Sequence, residues 1–305
     1  MSRFNLKIII MKKIAIKVPG TCGELVQGIC KGNNFHVTCP IELFSYIHLE
    51  LADSNKDLQN FSLQEKSRQA LISTLNYFGL SEKDVNLKIE IFSEIPSEKG
   101  MGSSSADIIG IILGVSILLN QKISADEVAK LALTIEPTDG IMYEDIVCFD
   151  HLKKGLLEKI GQPPLINVLV IDPGGCVDTL EFNRREDLIK LRLENQKDIT
   201  QALELVKKGI VENNIKLIGE GATLSALCNQ KILFKKELEK IISTSYKMGA
   251  VGVNAAHSGV VLGVLLPPNY YEIENLKNEI IRIYKCNKEL NFYETKLIGG
   301  GGRIV

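Results

Sequence analysis

The chain has 305 residues, of which 45% are hydrophobic and 24% are charged, and this composition is typical of a globular protein with one or two domains. Its 36 basic and 37 acidic residues give a net charge of −1, so it lacks the positive charge typical of nucleic-acid-binding proteins. Collagen-like and disordered chains are excluded by the same composition. We expect no nucleic-acid partner and either a monomer or a homodimer.

The sequence predicts neither a signal peptide nor a membrane span. The apolar run at 8–11 is too short for a signal peptide, and the longest apolar stretch, Ile108–Leu119, is well below the roughly 20 residues of a membrane-spanning helix. Met11 is a second candidate start beside Met1. Seven scattered cysteines without a C-x-x-C pair predict reduced thiols rather than a zinc site. We therefore expect a cytoplasmic protein with no membrane partner.

The first half of the chain alternates between strand and helix patterns. Strands are predicted at Lys13–Val18, Ile41–Leu51 and Leu87–Ile95. Helices are predicted at Leu63–Phe78, over the apolar stretch that ends at Leu119, and at Ala125–Ile135. Pro19-Gly20 is expected to end the first strand, and Ser124 with Glu127 forms a capping-box pattern at the third helix.

The second half begins after a candidate linker, Gly161–Pro164. A strand is predicted at Leu165–Asp172, and helical patterns fill most of 187–247. The remaining predicted elements are paired strands at Ala250–Val253 and Val260–Leu266, a helix at Glu272–Tyr284 and a strand at Phe292–Ile298. This α+β pattern predicts two domains, residues 1–162 and 163–305.

The segment that carries chemistry is rich in glycine and serine and lies between a predicted strand and a predicted buried helix. Glycines let a backbone turn tightly and approach a ligand, and a helix start offers unpaired N–H groups to an anion. We expect this segment to hold the phosphates of a nucleotide. The residues assigned to it are Pro96, Lys99, Gly100, Met101, Gly102, Ser103, Ser104, Ser105 and Ala106.

Two common phosphate-binding motifs do not fit this segment. A Walker A motif requires Gly-Lys followed by Ser or Thr, and the chain contains no such sequence. A Rossmann motif requires a third glycine, where Ser105 stands, and a strand as the next element, where a helix is predicted. A capped helix after a loop is the plain structural alternative, but three serines and two glycines exceed what capping needs.

The segment resembles the phosphate loop of the GHMP kinases (galactokinase, homoserine kinase, mevalonate kinase and phosphomevalonate kinase), with Met101 in place of a leucine. Val18–Glu24 resembles the first motif of that family, and Gly249–Gly259 resembles the third. The resemblance implies an α+β fold of two domains. One domain would be similar to domain 2 of ribosomal protein S5, the other would be ferredoxin-like, and ATP and Mg²⁺ would bind at the active site between them.

Three segments narrow the resemblance to the L-threonine kinase branch: P-G-T-C-G-E-L-V-Q-G, K-G-M-G-S-S-S-A-D-I and E-P-T-D-G. This branch makes O-phospho-L-threonine from ATP and threonine for the aminopropanol linker of cobalamin. A kinase for another small alcohol, homoserine first, is one alternative, and a nucleotide-binding regulator without catalysis is another.

The resemblance also implies residue roles. Ser104, with Ser105 as the alternative, and Glu136 would hold Mg²⁺, although Glu136 also fits a solvated carboxylate at a helix end. Asp139 would act as the base or would only orient the acceptor hydroxyl, and its plain alternative is a turn residue.

Other candidates concern the substrate and the histidines. Glu24 is expected to pair with the substrate ammonium, and Asp178 is a second candidate for that role. His257 is expected to be a structural donor, whereas His36 and His48 lie in strand patterns and are interpreted as surface or core residues.

Overall fold

The computed structural model describes residues 11–51, 63–177, 182, 184–285 and 288–305. Its strands are β1 (Lys13–Cys30), β2 (Asn33–Leu51), β3 (Leu87–Ser93), β4 (Ile146–Asp150), β5 (Gly155–Gly161), β6 (Asn167–Asp172), β7 (Gly252–Ala255), β8 (Leu262–Leu266), β9 (Asn291–Lys296) and β10 (Arg303–Ile304). Its helices are α1 (Glu65–Tyr77), α2 (Ser103–Leu118), α3 (Ala125–Leu133), α4 (Leu188–Glu194), α5 (Gln196–Val211), α6 (Ile215–Asn229), α7 (Leu238–Lys247) and α8 (Ile273–Ile283). Within these ranges, none of the helices has the length and apolar character that a membrane span requires.

The strands form one sheet whose order is β5-β4-β2-β1-β7-β8-β6-β9, with β3 paired to β2 and β10 paired to β1. Strand β1 from the first half of the chain pairs with β7 from the second half at Glu24 and Ala255. The sheet is therefore continuous across the predicted boundary at 162/163, which lies between β5 and β6. The α+β architecture is confirmed, and the division into two domains stays a prediction.

Helix α2 lies against β1 and β2 because two glycines let it approach the sheet closely. A β-carbon at Gly110 would lie 2.3 Å from the Ile47 side chain, and one at Gly114 would lie 2.3 Å from the Leu49 side chain. Most of this helix is buried in a core that draws residues from both halves of the chain. A second core joins β6, β7 and β8 to helices α7 and α8. The first turn of α2, where the glycine-serine segment ends, is thus fixed relative to β1.

The expected end of the first strand at Pro19-Gly20 is wrong, because β1 continues to Cys30. Its pairing with β2 shifts register at three places between Pro19 and Val26. Such bulges accommodate a proline and a change of direction without ending the strand. The first motif is therefore a bent part of a long strand rather than a loop, and Glu24 lies at the bend.

The hairpin of β4 and β5 is absent from the sequence prediction. All five residues of β4, IVCFD, are buried, so the strand lacks the alternation of polar and apolar residues that identifies a half-buried strand. Strand β5 ends at Gly161 and no regular element follows until β6 at Asn167, so Gly161–Pro164 lies in the connection between these two strands. Of the described cysteines, four are buried and none forms a disulfide.

Candidate functional site

A cleft on the sheet brings together the motifs that lie far apart in the sequence. It is lined by Glu24 from β1, by Gly102 and Ser104 at the start of α2, and by Glu136 and Asp139 from the segment after α3. Ser258 of the third motif also lines it. The structure therefore places most of the candidate site residues around one cavity.

The glycine-serine segment adopts a tight turn that ends at the first residue of α2. Gly100 and Gly102 have φ values of +79° and +70°, in the left-handed region that favours glycine. The Met101 carbonyl accepts a hydrogen bond from the Thr21 N–H at 2.8 Å, and the Lys99 carbonyl accepts one from the Val260 N–H at 3.0 Å. The first and third motifs thus hold the segment from both sides.

The absence of side chains on two glycines lets the motifs touch. A β-carbon at Gly100 would lie 2.6 Å from the Gly259 Cα, and one at Gly259 would lie 2.4 Å from the Gly100 Cα. A β-carbon at Gly102 would lie 2.8 Å from Asp139 Oδ2 and 3.1 Å from the Thr21 side chain. The Asp139 carboxylate is therefore in direct proximity to the start of α2.

The start of α2 has the features of an anion site. Its N-cap is Gly102, which offers no side chain to accept a hydrogen bond from the first-turn N–H groups. Ser103 and Ser104 line the cleft, whereas Ala106 is buried and donates its N–H to the Gly102 carbonyl. The positive end of the helix dipole adds to the attraction for a phosphate.

The Lys99 side chain extends away from this helix start. Its ammonium donates a hydrogen bond to the Gly175 carbonyl at 2.7 Å and lies 3.3 Å from Asp172 Oδ1. Asp172 is the last residue of β6 and is buried. Lys99 thus ties the glycine-serine segment to the second half of the chain, and its contact with phosphate stays a prediction.

Asp139 is a partly buried carboxylate at the centre of the cleft. Its N–H donates to the Ser105 hydroxyl at 3.3 Å, so Ser105 fixes the segment after α3 against α2. Its Oδ1 lies 4.0 Å from His36 Nδ1. Burial, together with the nearby negative charges of Glu24 and Glu136, raises the pKa of Asp139 to about 7. This carboxyl is therefore poised to exchange a proton near neutral pH.

The raised pKa of Asp139 has a consequence for stability. Its pKa in the folded protein, about 7, exceeds the value of about 3.9 expected in the unfolded chain. Its contribution to stability is therefore fully present below about pH 4 and is lost as the pH rises through 7. Asn keeps the shape but carries no charge. We therefore compare the free energy of unfolding of Asp139→Asn with that of the wild type. This difference is expected to favour the variant by about 1–3 kcal/mol more at pH 8 than at pH 5.

Urea unfolding of both proteins at pH 5 and pH 8, without nucleotide and Mg²⁺, measures this difference. An equal effect of Asp139→Asn at the two pH values would show that the charge of Asp139 is not disfavoured in the folded protein.

Glu136 and Ser104 offer the hard oxygen donors that suit Mg²⁺. The Glu136 side chain is only 8% exposed, and its carboxylate forms an ion pair with Lys66 of α1, so that it is not simply a solvated charge at a helix end. Glu24, His36 and Asp139 also place three donor atoms within 4.8 Å of one another. That set includes an imidazole, which Mg²⁺ does not favour. The oxygen donors of Ser104 and Glu136 fit the ion better.

Glu24 is held by the third motif. Its Oε2 accepts the His257 N–H at 2.9 Å and lies 3.3 Å from His257 Nδ1. Burial favours the neutral acid, but the hydrogen bonds from His257 outweigh burial and lower the pKa of Glu24. Glu24 is therefore a buried anion, as a partner for an ammonium group must be. Asp178, the other candidate for this role, lies outside the described residues.

His257 connects these strands to helix α6. Its Nε2 lies 3.1 Å from the Ser225 hydroxyl, which also accepts the Gln27 N–H at 3.2 Å. These contacts agree with the expected structural role of His257.

Sequence reasoning missed several polar residues in the cleft, among them Gln27, His36 and His151. His36 was interpreted as a surface or core residue, but it lines the cleft and its ring stacks on that of His151 at a centroid distance of 4.7 Å. The strand register would have revealed part of this group. Once β1 is known to pass through its bulges, Gln27 pairs with His36 across the β1–β2 hairpin.

Comparison with known proteins gives three findings. The model of the GHMP kinases N terminal domain matches residues 67–147. The L-threonine kinase of Salmonella typhimurium is 28% identical over 94% of this chain and 94% of its own length. The 4-diphosphocytidyl-2-C-methyl-D-erythritol kinase of Ligilactobacillus salivarius is 30% identical over 81% of this chain and 82% of its own length.

A solved structure extends the similarity to the fold. The crystal structure of homoserine kinase from Cytophaga hutchinsonii superposes with a TM-score of 0.69 at 15% identity, and the match covers 97% of this chain and 98% of that one.

Proposed function

Because the chain belongs to the GHMP kinase family, we propose that it is an ATP-dependent kinase that phosphorylates the hydroxyl of L-threonine to O-phospho-L-threonine. The observation that carries the proposal is the position of Asp139, which lies against the N-terminus of α2 beside Ser104 and Glu136. Similarity to an L-threonine kinase over nearly the whole chain supports the choice of substrate. The proposal includes use of the product for the aminopropanol linker of cobalamin and a cytoplasmic location.

The phosphoryl-transfer step assigns one role to each part of the cleft. The N–H groups of the loop and of the first turn of α2 bind the phosphates of ATP, with Gly100 and Gly102 giving the backbone its close approach. Glu24 binds the ammonium group of the amino acid. Asp139 accepts the proton of the acceptor hydroxyl while the hydroxyl oxygen bonds to the γ-phosphorus. The bond from that phosphorus to the bridging oxygen breaks, and ADP leaves.

Mg²⁺ would be held by Ser104 and Glu136, whose oxygen donors fit it, and when bound it neutralises phosphate charge. Lys66 then has to share the Glu136 carboxylate with the cation. The chain keeps Ser104 and Glu136 for the metal and Asp139 for the acceptor hydroxyl. Their presence argues against the alternative of a regulator without catalysis.

Glu136→Gln tests the metal assignment. Loss of one carboxylate from a hard cation is expected to raise the Mg²⁺ concentration for half-maximal activity by about tenfold. ADP release at fixed ATP and L-threonine, titrated with Mg²⁺, measures the shift.

Two control variants accompany this titration. Glu98→Gln removes another carboxylate that lines the cleft, and Lys66→Met removes the cation paired with Glu136. Neither should raise the Mg²⁺ requirement. A wild-type Mg²⁺ dependence in Glu136→Gln would show that Glu136 only forms a structural ion pair and does not bind the metal.

The substrate is tested by ADP release with L-threonine, L-serine, L-homoserine, mevalonate and galactose at saturating ATP and Mg²⁺. We expect the highest kcat/KM with L-threonine, and O-phospho-L-threonine should be identified by mass spectrometry. A higher kcat/KM with L-homoserine would select the first alternative substrate, and turnover of none would favour the regulator.

A further inference from the structure

Three of the cleft residues that sequence reasoning missed form one buried group, which we name the imidazole cluster: Gln27, His36 and His151. Their side chains come from β1, β2 and the residue after β4, and each is at most 5% exposed. All three line the cleft beside Glu24 and Asp139. The cluster is therefore inside the site but has no part in the phosphoryl-transfer step described above.

Each member of the imidazole cluster carries a buried polar atom without a hydrogen-bond partner among the described residues. These atoms are Gln27 Oε1, His36 Nε2 and His151 Nδ1. Buried polar atoms in native proteins are almost always hydrogen-bonded, so three such atoms on residues that line one cleft indicate a polar ligand.

The contacts of the cluster indicate which of these atoms donate. In the orientation that the structure gives the Gln27 amide, its Nε2 lies 3.3 Å from His151 Nε2. An amide nitrogen only donates, so His151 Nε2 accepts and the proton of the ring is on Nδ1. His36 Nδ1 is too far from Asp139 to form a hydrogen bond, so the His36 ring is free to carry its proton on Nε2. His151 thus offers one N–H donor, and His36 offers a second one in its Nε2–H tautomer.

The two rings of the cluster are neutral, and charges of both signs lie near them. Burial lowers the pKa of His36 to about 4 and that of His151 well below its usual value, so both rings are neutral donors at pH 7. The buried guanidinium of Arg192 lowers both pKa values further, whereas the carboxylates of Glu24 and Asp150 act in the opposite direction on His36. An ammonium group fits better at the anionic Glu24.

We propose that the imidazole cluster is the subsite for the α-carboxylate of the substrate, with His36 and His151 donating to it and Gln27 fixing the tautomer of His151. This inference rests on the proposed function, because it takes the acceptor to be an amino acid. Glu24 pairs with Thr38 and Gln27 pairs with His36 across the hairpin. The Glu24 carboxylate and a ring nitrogen of His36 lie within 4.8 Å of each other, a distance that the ammonium and carboxylate groups of one amino acid can span.

The subsite makes a prediction about substrate analogues. Wild-type kcat/KM should be higher for L-threonine than for L-threoninamide, which lacks the charged carboxylate. His151→Phe keeps a stacked ring but loses the N–H, and Gln27→Met keeps the length but loses the amide. Each is expected to lower kcat/KM for L-threonine by about 10–100-fold, mainly through KM, since a hydrogen bond to a charged group is lost. Turnover of L-threoninamide should change by less than about threefold.

Controls separate recognition from folding. His48→Phe changes an exposed histidine on the same strand β2 and should behave as the wild type. ATP affinity measured without amino acid should be unchanged in all three variants. Equal losses with L-threonine and L-threoninamide, or no loss with either, would overturn the subsite.

Different measurements test the proposed function and the proposed carboxylate subsite. Wild-type turnover of L-homoserine without turnover of L-threonine would overturn the proposed substrate alone. The same variants would then be assayed with L-homoserine and L-homoserinol, and a selective loss for L-homoserine would still support the carboxylate subsite.

Discussion

Replacing Asp139 with asparagine is expected to lower kcat with L-threonine by about 10²–10⁴-fold, because a positioned base contributes that much to proton transfer. Nucleotide affinity should be nearly unchanged, since Asn keeps the shape against the start of α2. Steady-state ADP release and equilibrium ATP binding measure the two effects. A loss below about tenfold would mean that Asp139 only orients the hydroxyl, and full activity would leave it as a turn residue.

The same variant should change the pH profile. Only the deprotonated Asp139 can accept a proton, so wild-type kcat/KM is expected to fall as the pH decreases through about 7, the raised pKa of this carboxyl. This dependence should disappear in Asp139→Asn, while any part due to ATP phosphates persists in both proteins. A profile with the same midpoint in the variant would assign the titration to another group.

Replacing Gly102 with valine is expected to abolish nucleotide binding in a protein that still folds. The valine β-carbon would lie 2.8 Å from Asp139 Oδ2, and the residue would keep a φ of +70° only under strain. Either a shift of the loop or intrusion of the side chain would remove the close backbone approach to phosphate. Calorimetric titration with Mg²⁺-ATP measures the loss.

Gly79→Val is the matched control for this variant. Gly79 has a similar φ of +74°, but a β-carbon there meets nothing within 4 Å, and the residue lies at the exposed end of α1. It should share the backbone strain, on the order of 1–2 kcal/mol, and bind nucleotide normally. Normal nucleotide affinity in a folded Gly102→Val protein would place ATP elsewhere.

The elements that the sequence predicted well are those with strong local signals. Helix α3 begins at its capping box, in which the Ser124 hydroxyl accepts the Glu127 N–H and the Glu127 carboxylate accepts the Ser124 N–H. The glycine-serine segment was also found, because its three serines and two glycines exceed what the capping of a helix needs. By contrast, β4 was missed because complete burial removes the alternation that identifies a strand.

Residues of the site could be predicted from the sequence only where they lie within a continuous motif. Glu24, Glu136 and Asp139 were found within motifs, and they lie in the same cleft. His151 stands in no motif. It lies next to Gln27 because of the pairing within two hairpins and the bulges in the register of β1 and β2. Such contacts depend on long-range strand pairing, which no local pattern encodes.

The contact between Gly100 and Gly259 bears on how the chain can be divided. Each residue occupies the space that a side chain of the other would need, and the adjacent Lys99 carbonyl accepts the Val260 N–H. The shape of the glycine-serine segment thus depends on residues about 160 positions later in the chain as well as on its own sequence. The proposed nucleotide site is consequently not a transferable module of residues 1–162: a chimera with a relative must exchange both segments together.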